Sequence, residues 1–558
     1  MDKFTVSRTL DEISRYIQLS DPNPFKAKAF EKAARAVGDL EEDVAALVAS
    51  GAIYDVDGIG KATGKVIEEI VQTGGSQYLE ELRTQFPAGI FELLRVPKLG
   101  LKKIGQLHSE LGIGSIDELE AAARDGRIAK LKGFGAKTAE HILKGVAFAR
   151  MRESSFLLPV GIEAGELLRE RLADFDEVED AEVSGSVRRR LEVIHGVEIV
   201  VATKKPTAVA QHLAELVADL EEVDERTFKG TTRGEMAVTF HLTTPAEFGS
   251  TLLRTTGSAE FVEAFEAKAG SIAKAKTERD AFKAAGIPFI EPERRETPDD
   301  LETKKRPKLV EVAHLRGTFH VHTTFSDGRN TVAQMLTAAQ ERGWEYVGIS
   351  DHSPTAYYAG GLSEERLRQQ HTEIAKQEKT VAPMRVFRGT EADILQNGTM
   401  DYGDKILSTL DFVVASVHSG FTMQKDEMTE RILRAMDDPY VTFLGHLTGR
   451  RLLSREGYSV DYDRIFEKAG QRGVMIEING NPQRLDLDWR YLRRALDRGV
   501  VFSINPDAHS VSEYNAVITG TWVARKGGLG PTQIFNTKDV EEVGEFFSAR
   551  KKWGAAHG

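Results

Sequence analysis

The sequence predicts a multidomain α/β protein, and three stretches carry that expectation. Residues 1–150 read as helix throughout, with Ala, Leu, Glu and Lys at helical spacing. Residues 151–245 alternate apolar runs (AEVSGSV, GVEIVVAT, AVTFHL) with one helical stretch, PTAVAQHLAELVADL, an α+β pattern. Residues 315–558 alternate strands and helices about seven times, which predicts a parallel β/α barrel or a close relative. Between these stretches, 246–290 returns to helix. The segment 291–314, EPERRETPDDLETKKRPKLVEVAH, is charged and contains Pro, and reads as an interdomain linker.

Composition narrows the chemistry. The 558 residues contain no cysteine, which excludes disulfides, thiolate zinc sites and iron–sulfur clusters. Any metal must be held by imidazole and carboxylate, a set that suits Zn, Mn or Fe without choosing among them. No apolar stretch approaches the roughly 20 residues needed to span a bilayer. The opening MDKFTVSRTLDEI has no apolar core of a secretory signal, so a soluble cytoplasmic protein is expected. A net charge of −12 argues against a generally basic protein that coats nucleic acid. It leaves room for DNA binding through local patches or backbone amides.

A repeat lies in the helical region. VDGIGKATGKVIEEIV (56–71), VPKLGLKKIGQLH (96–108) and LKGFGAKTAEHIL (131–143) share a Gly–apolar–Gly turn followed by Lys, with Lys98 replacing the first Gly in the middle copy. Their irregular spacing excludes a solenoid. The form resembles the helix-hairpin-helix motif. Its glycines (Gly58, Gly60, Gly100, Gly133, Gly135) permit a tight turn and close backbone approach. Amides at the following helix start can hold a phosphate, and Lys61, Lys102 and Lys137 add charge without reading bases. The plainer alternative is three ordinary helical hairpins with Gly turns.

Nine residues within about the last 240 form a set of metal ligands: His320, His322, Asp327, His352, Glu391, His418, His446, Asp507 and His509. Most end short apolar runs, as in YVGISDH (346–352), DFVVASVH (411–418), YVTFLGH (440–446) and VVFSINPDAH (500–509). Such runs read as buried strands, and ligands just past them converge on one rim of a barrel. FHVHTTFSDG (319–328) places His320 and His322 two apart on a strand, hence on one face, with Asp327 in a turn. One such His alone is more often an ordinary core or surface residue; nine in order point to a multinuclear centre.

Gly185-Ser186 with Arg188 and Arg189 (VSGSVRRR, 183–190) follows an expected strand and looks like the phosphate-binding turn of nucleotidyltransferases; a surface Arg cluster is the alternative. Three hairpins, this turn, the EFGSTLL…TTGS stretch (247–258) and the metal domain together resemble a bacterial family X DNA polymerase fused to a PHP domain. NPFKAKAFEKAARAV (23–37) resembles that family's amino-terminal helix. The resemblance covers nearly the whole chain. It implies a nucleotidyltransferase-like palm at 151–245, a thumb-like helical region at 246–290 and a distorted, TIM-like PHP barrel at 315–558.

The resemblance also implies site residues. The family's polymerase site uses three aspartates for two cations; here Gly196, Glu198 and Thr239 occupy those positions. Glu198 is the one carboxylate left to act there with Mg or Mn, and two cations about 4 Å apart need several anionic oxygens. Arg254 and Thr255 replace an aromatic pair, and Val66 stands at the lyase lysine with Lys65 beside it. The polymerase core therefore reads as degenerate. In the barrel, the family pattern implies about three metals. His320, His322, Glu391 and Asp507 would hold the first; Glu391, His418 and His446 the second; Asp327, His352 and His509 the third. Thr318 stands where an Asp is usual. Arg450, Arg451 and Arg484 can carry substrate phosphates or serve as surface charge.

The expected function is a DNA repair nuclease: a monomer, nucleoid-associated, acting on gapped, nicked or primer–template DNA independently of sequence. The alternatives are a gap-filling polymerase whose PHP domain proofreads, a non-catalytic DNA scaffold, and a PHP phosphatase for small esters.

Overall fold

The structure, a computed structural model, describes residues 3–20, 24–40, 43–97, 99–303 and 306–557. The chain divides into two compact units, Met1–Glu153 and Ser154–Gly558.

The first unit is all helix. Its opening helix, Lys3–Ser20, buries Val6, Leu10, Ile13 and Ile17, one stripe at helical spacing. The helix Leu101–Leu111 packs closely on the end of that helix: a Cβ on Gly105 would lie 2.3 Å from the Leu19 carbonyl oxygen. Each expected hairpin leads into a helix, at Lys61–Thr73, Leu101–Leu111 and Ala136–Glu153. Lys98 and Asn23 lie outside the described residues.

The second unit opens with a short antiparallel pair, β1 (Phe156–Leu157) with β3 (Val193–Ile194). A five-stranded sheet follows, made of β2 (Val178–Ser184), β4 (Gly196–Thr203), β5 (Ala218–Asp224), β6 (Thr227–Thr231) and β7 (Ala237–Thr243). Its order is β2-β4-β7-β6-β5, and β4 runs parallel to β7. Val197, Ile199 and Val201 alternate along β4 and join Leu158, Leu168, Leu172 and Leu213 in one core. The stretch PTAVAQHLAELVADL is not one helix. It stops at Leu216, and Ala218 onward pairs with β6, so strand pairing overrides helical composition there.

The helices Phe248–Thr256, Ala259–Ala269 and Glu278–Ala284 bury Leu253, Phe261, Phe265 and Phe282. The segment 291–314 carries short 3-10 turns. It is fastened on both sides. Arg295, fully buried, pairs with Glu278, while Arg525 pairs with Glu293 at 2.5 Å.

Seven parallel strands complete the unit: β8 (Gly317–Thr318), β9 (Tyr346–Ile349), β10 (Arg385–Asp393), β11 (Phe412–Ser416), β12 (Phe443–Leu444), β13 (Met475–Asn479) and β14 (Phe502–Asn505). They pair in chain order. A parallel bridge from Val321 to Ala508 links the first and last, so the barrel is nearly closed. Phe319, Tyr346, Phe387, Phe412 and Phe443 fill one end with Phe547 of the helix Val540–His557.

Candidate metal centre

The aromatic plug and the expected ligands occupy opposite ends of the same inward rows. Side chains alternate along a strand. Two-residue steps lead from Tyr346 to His352, from Phe387 to Glu391 and from Phe412 to His418. The first row departs from the expected pattern, because β8 ends at Thr318 and His320 has φ +58. That turn shifts the alternation, so Phe319 joins the plug while His320 and His322 both reach the centre. His446 (φ +24) and Asp507 (φ +53) are left-handed as well. Such backbone costs on the order of 1–3 kcal/mol per residue and clusters where function fixes geometry.

All nine residues converge. Glu391 is central: His446 Nε2 lies 2.9 Å, His418 Nε2 3.2 Å and His320 Nε2 3.3 Å from its Oε1, and His352 Nδ1 lies 2.9 Å from its Oε2. Asp507 Oδ1 faces His320 and His322 at 3.4 and 3.3 Å. Asp327 Oδ1 faces His509 and His352 at 3.4 and 3.7 Å. Four overlapping groups could each hold an ion: His322 with Asp327, His352 and His509; His320 with His322 and Glu391; His320 with His446 and Asp507; His352 with Glu391 and His418.

The donor set fits divalent cations. Ligands at about 2.1 Å in tetrahedral array stand about 3.4 Å apart, close to the separations here. His320 Nε2 and both ring nitrogens of His322 are buried with no hydrogen-bond partner among the described residues. Three buried carboxylates also draw positive charge to the centre. Burial alone would lower His320, but Glu477, Glu391 and Asp507 lift it well above the usual imidazole value. His418 is carried against burial to about 10 by Glu391 and Asp393, and His509 to about 9 by Asp327 and Asp507. His322, buried beside His509 and His352, falls to about 3. Burial opposes ionisation of Glu391 and Asp507, yet the surrounding imidazoles hold both well below the carboxylate range.

A supporting layer was not among the expected residues. Glu477, fully buried, accepts from His320 Nδ1 at 2.6 Å, the His446 amide at 2.7 Å, Asn479 at 3.1 Å and Asn505 at 3.0 Å. Asp393 Oδ1 meets His418 Nδ1 at 2.9 Å. Such partners fix ring orientation and tautomer. Their signal was present: a Glu inside the apolar run VMIEING (474–480), and an Asp two residues past Glu391 on the same face.

The centre opens into a cavity of about 890 Å³ lined by Arg329, Arg451, Arg484 and Tyr358, with Leu157, Pro159 and Val160 contributed from β1 and the helix after it. Arg484 Nε lies 3.4 Å from Asp507 Oδ2. Arg450 does not line the cavity; Asp488 and the carbonyls of Arg484 and Leu485 engage its guanidinium.

In the sheet region, Glu198 stands beside Thr239 in the β4–β7 register, and Gly196 beside Ala237. Glu198 Oε2 lies 3.2 Å from His241 Nε2. Gly185 (φ +62) opens the expected turn, with Ser186 half-buried after it; a Cβ on Gly185 would lie 2.3 Å from the Glu198 carboxylate. Arg188 is held by Glu278 and the Thr256 hydroxyl, each at 2.8 Å, and Arg189 by Glu296 and the Thr256 carbonyl. None of the ion-holding groups found among the described residues includes Glu198.

In the first unit, Gly58 (φ +96), Gly133 (φ +88) and Gly135 (φ +127) need the left-handed freedom of glycine. Gly60 and Gly100 cap their helices at φ −94 and −87, where any residue fits, and a Cβ there would meet nothing within 4 Å. Lys61, Lys102 and Lys137 are exposed, with no carboxylate partner among the described residues. Lys65 is exposed, and Val66 packs on the core.

Among the described residues no helix is long and apolar enough to cross a membrane. Three family models match: a PHP domain at 318–481, a helix-hairpin-helix domain at 1–76 and a SAM-like helix-hairpin-helix tandem at 90–147. The chain is 33% identical to the DNA polymerase/3′-5′ exonuclease PolX of Bacillus subtilis, covering 98% of this chain and 99% of that one. A probable phosphatase of Clostridium acetobutylicum is 30% identical over 29% of this chain and 62% of its own. A probable phosphatase of Thermoanaerobacter is 25% identical over 42% of this chain and 94% of its own.

Proposed function

This chain belongs to the bacterial family X DNA polymerases that carry a PHP domain, and we propose that it is a DNA repair nuclease. In this reading it grips DNA through its hairpins and hydrolyses phosphodiesters in the barrel, as a 3′-5′ exonuclease or related nuclease. It acts as a cytoplasmic, nucleoid-associated monomer on gapped, nicked or primer–template DNA. The observation that carries the reading is the convergence of six imidazoles and three carboxylates, with buried ring nitrogens left without partners.

About three divalent ions (Mn, Zn or Fe) would be held, one mainly by His320, His322 and Asp507, one by His418 and His446, one by Asp327, His352 and His509, with Glu391 shared. When bound, such ions supply Lewis acidity and offset charge on a phosphoryl group. The chain's own residues do the rest. Glu477 and Asp393 set the imidazoles, and Arg484, Arg451 and Arg329 at the cavity attract the substrate's phosphates. Gly60 and Gly100 are explained by the approach of an outside group, since among the described residues nothing near them requires glycine there.

Nucleotide addition is weak or absent in this reading. Gly196 and Thr239 have no carboxylate to offer cations, and Arg188 and Arg189 are spent on Glu278 and Glu296. The name of the Bacillus subtilis relative favours a second reading, a gap-filling polymerase with PHP proofreading. One experiment separates them: a labelled primer–template with Mn²⁺, with and without dNTPs. Shortening supports the nuclease and dNTP-dependent extension the polymerase; a full-length primer in every lane rules out both.

A further inference from the structure

Tyr357 and Tyr358 are out of place for an internal structural role. They are 85% and 65% exposed, and among the described residues their side chains make no hydrogen bond and meet no other ring apart from their own edge contact at 5.8 Å. The segment bearing them is nevertheless fixed. The Ala359 and Gly361 amides donate to the Ala356 carbonyl, and Arg366 donates to the Gly360 and Phe325 carbonyls. A rigid segment therefore holds two large rings in solvent. Tyr358 lines the cavity of the metal centre, where Arg329, Arg451 and Arg484 also lie and where Val160, 46% exposed, adds apolar surface.

We infer that Tyr357 and Tyr358 are a stacking platform for the bases of a single-stranded DNA end whose terminal phosphodiester lies at the metal centre. This rests on the nuclease reading above. Two physical points select the occupant. The ligands lie at the bottom of the cavity, with Glu391 and His446 almost wholly buried, so the phosphodiester must enter rather than be approached from outside. A ring face stacks on a base only when that base has left its duplex partner stack. The arginines match the charge of the adjoining phosphates: Arg329 and Arg451 have no carboxylate partner among the described residues, and Arg484 faces Asp507. The platform sets where the strand sits, and so favours unpaired over paired ends. The tyrosines are positioning residues.

The test uses the full chain with Mn²⁺ and two labelled single-stranded oligodeoxynucleotides, one ordinary and one abasic at the four residues before its cleaved end. The wild type should show a KM about tenfold or more lower for the ordinary strand, since stacking contributes roughly 1–3 kcal/mol per base. In Tyr357→Ala/Tyr358→Ala that preference should fall to near one, through a raised KM on the ordinary strand. Tyr357→Phe/Tyr358→Phe should retain it. A preference that survives the double alanine change overturns the inference and leaves the nuclease reading standing. The same holds if the rings instead join two copies of the chain, in which case the double variant changes sedimentation and keeps the preference. Wild type that cleaves neither strand overturns both readings.

Discussion

Glu477 accepts from four donors with two oxygens, so the orientation of His320 and the backbone at His446 depend on its charge as well as its shape. Glu477→Gln keeps the volume and turns an amide toward donors. It should lower Mn²⁺ affinity or activity about 10–100-fold, the usual cost of losing a ligand's partner; a calorimetric Mn²⁺ titration beside the nuclease assay measures it. Affinity within twofold of the wild type would mean that His320 is oriented by something else. Gly196 behaves differently. A Cβ there would lie 2.7 Å from the Ala237 carbonyl oxygen. Gly196→Asp should therefore cost about 1–3 kcal/mol in thermal denaturation through crowding of β4 on β7. Glu198→Asp with Thr239→Asp should cost much less. Restoring the aspartates one by one thus separates a lost chemistry from a lost fit.

The element that matters most is the strand end. The convergence of these ends was legible because apolar runs of four to eight residues stop at His or Asp, and a barrel brings such ends together. Three ligand positions were legible only as residue types. Nothing in FHVH announces the left-handed turn at His320, whose neighbour Val321 bridges to Ala508 nearly 190 residues away in sequence. Arg450 was equally opaque. Whether an arginine next to a ligand faces the cavity or Asp488 depends on a loop that local pattern does not encode. The hairpins belong to this scale too. Residues 1–150 hold 21 Lys and Arg against 22 Asp and Glu, so binding must come from local geometry rather than bulk charge. Lys61→Ala, Lys102→Ala and Lys137→Ala should each weaken binding to gapped DNA and reduce the salt slope of log K by about one. An unchanged slope in fluorescence anisotropy would place the DNA elsewhere.

Across the second unit, buried charges join the sheet region, the helices of 248–284 and the barrel. Arg295 and Arg188 share Glu278, and Lys526 reaches both the Arg189 carbonyl and Glu296. Removing Glu278 leaves a buried guanidinium unpaired, so Glu278→Gln should cost about 3–5 kcal/mol at neutral pH. Burial raises the Glu278 pKa, but Arg295 and Arg188 outweigh it and hold the carboxyl below its usual 4.5. A depressed folded value gives stability that is full above 4.5 and is lost as pH falls through the folded value. The destabilisation should therefore shrink in acid, which melting curves at neutral and acidic pH will register. One measurement tests the barrel as the seat of cleavage. Labelled primer–template is incubated with Mn²⁺ and either wild type or His320→Ala/His322→Ala, whose folding is checked by circular dichroism. Progressive shortening is expected from the wild type and none from the folded double variant. Equal shortening by both would contradict a nuclease centred on these nine residues.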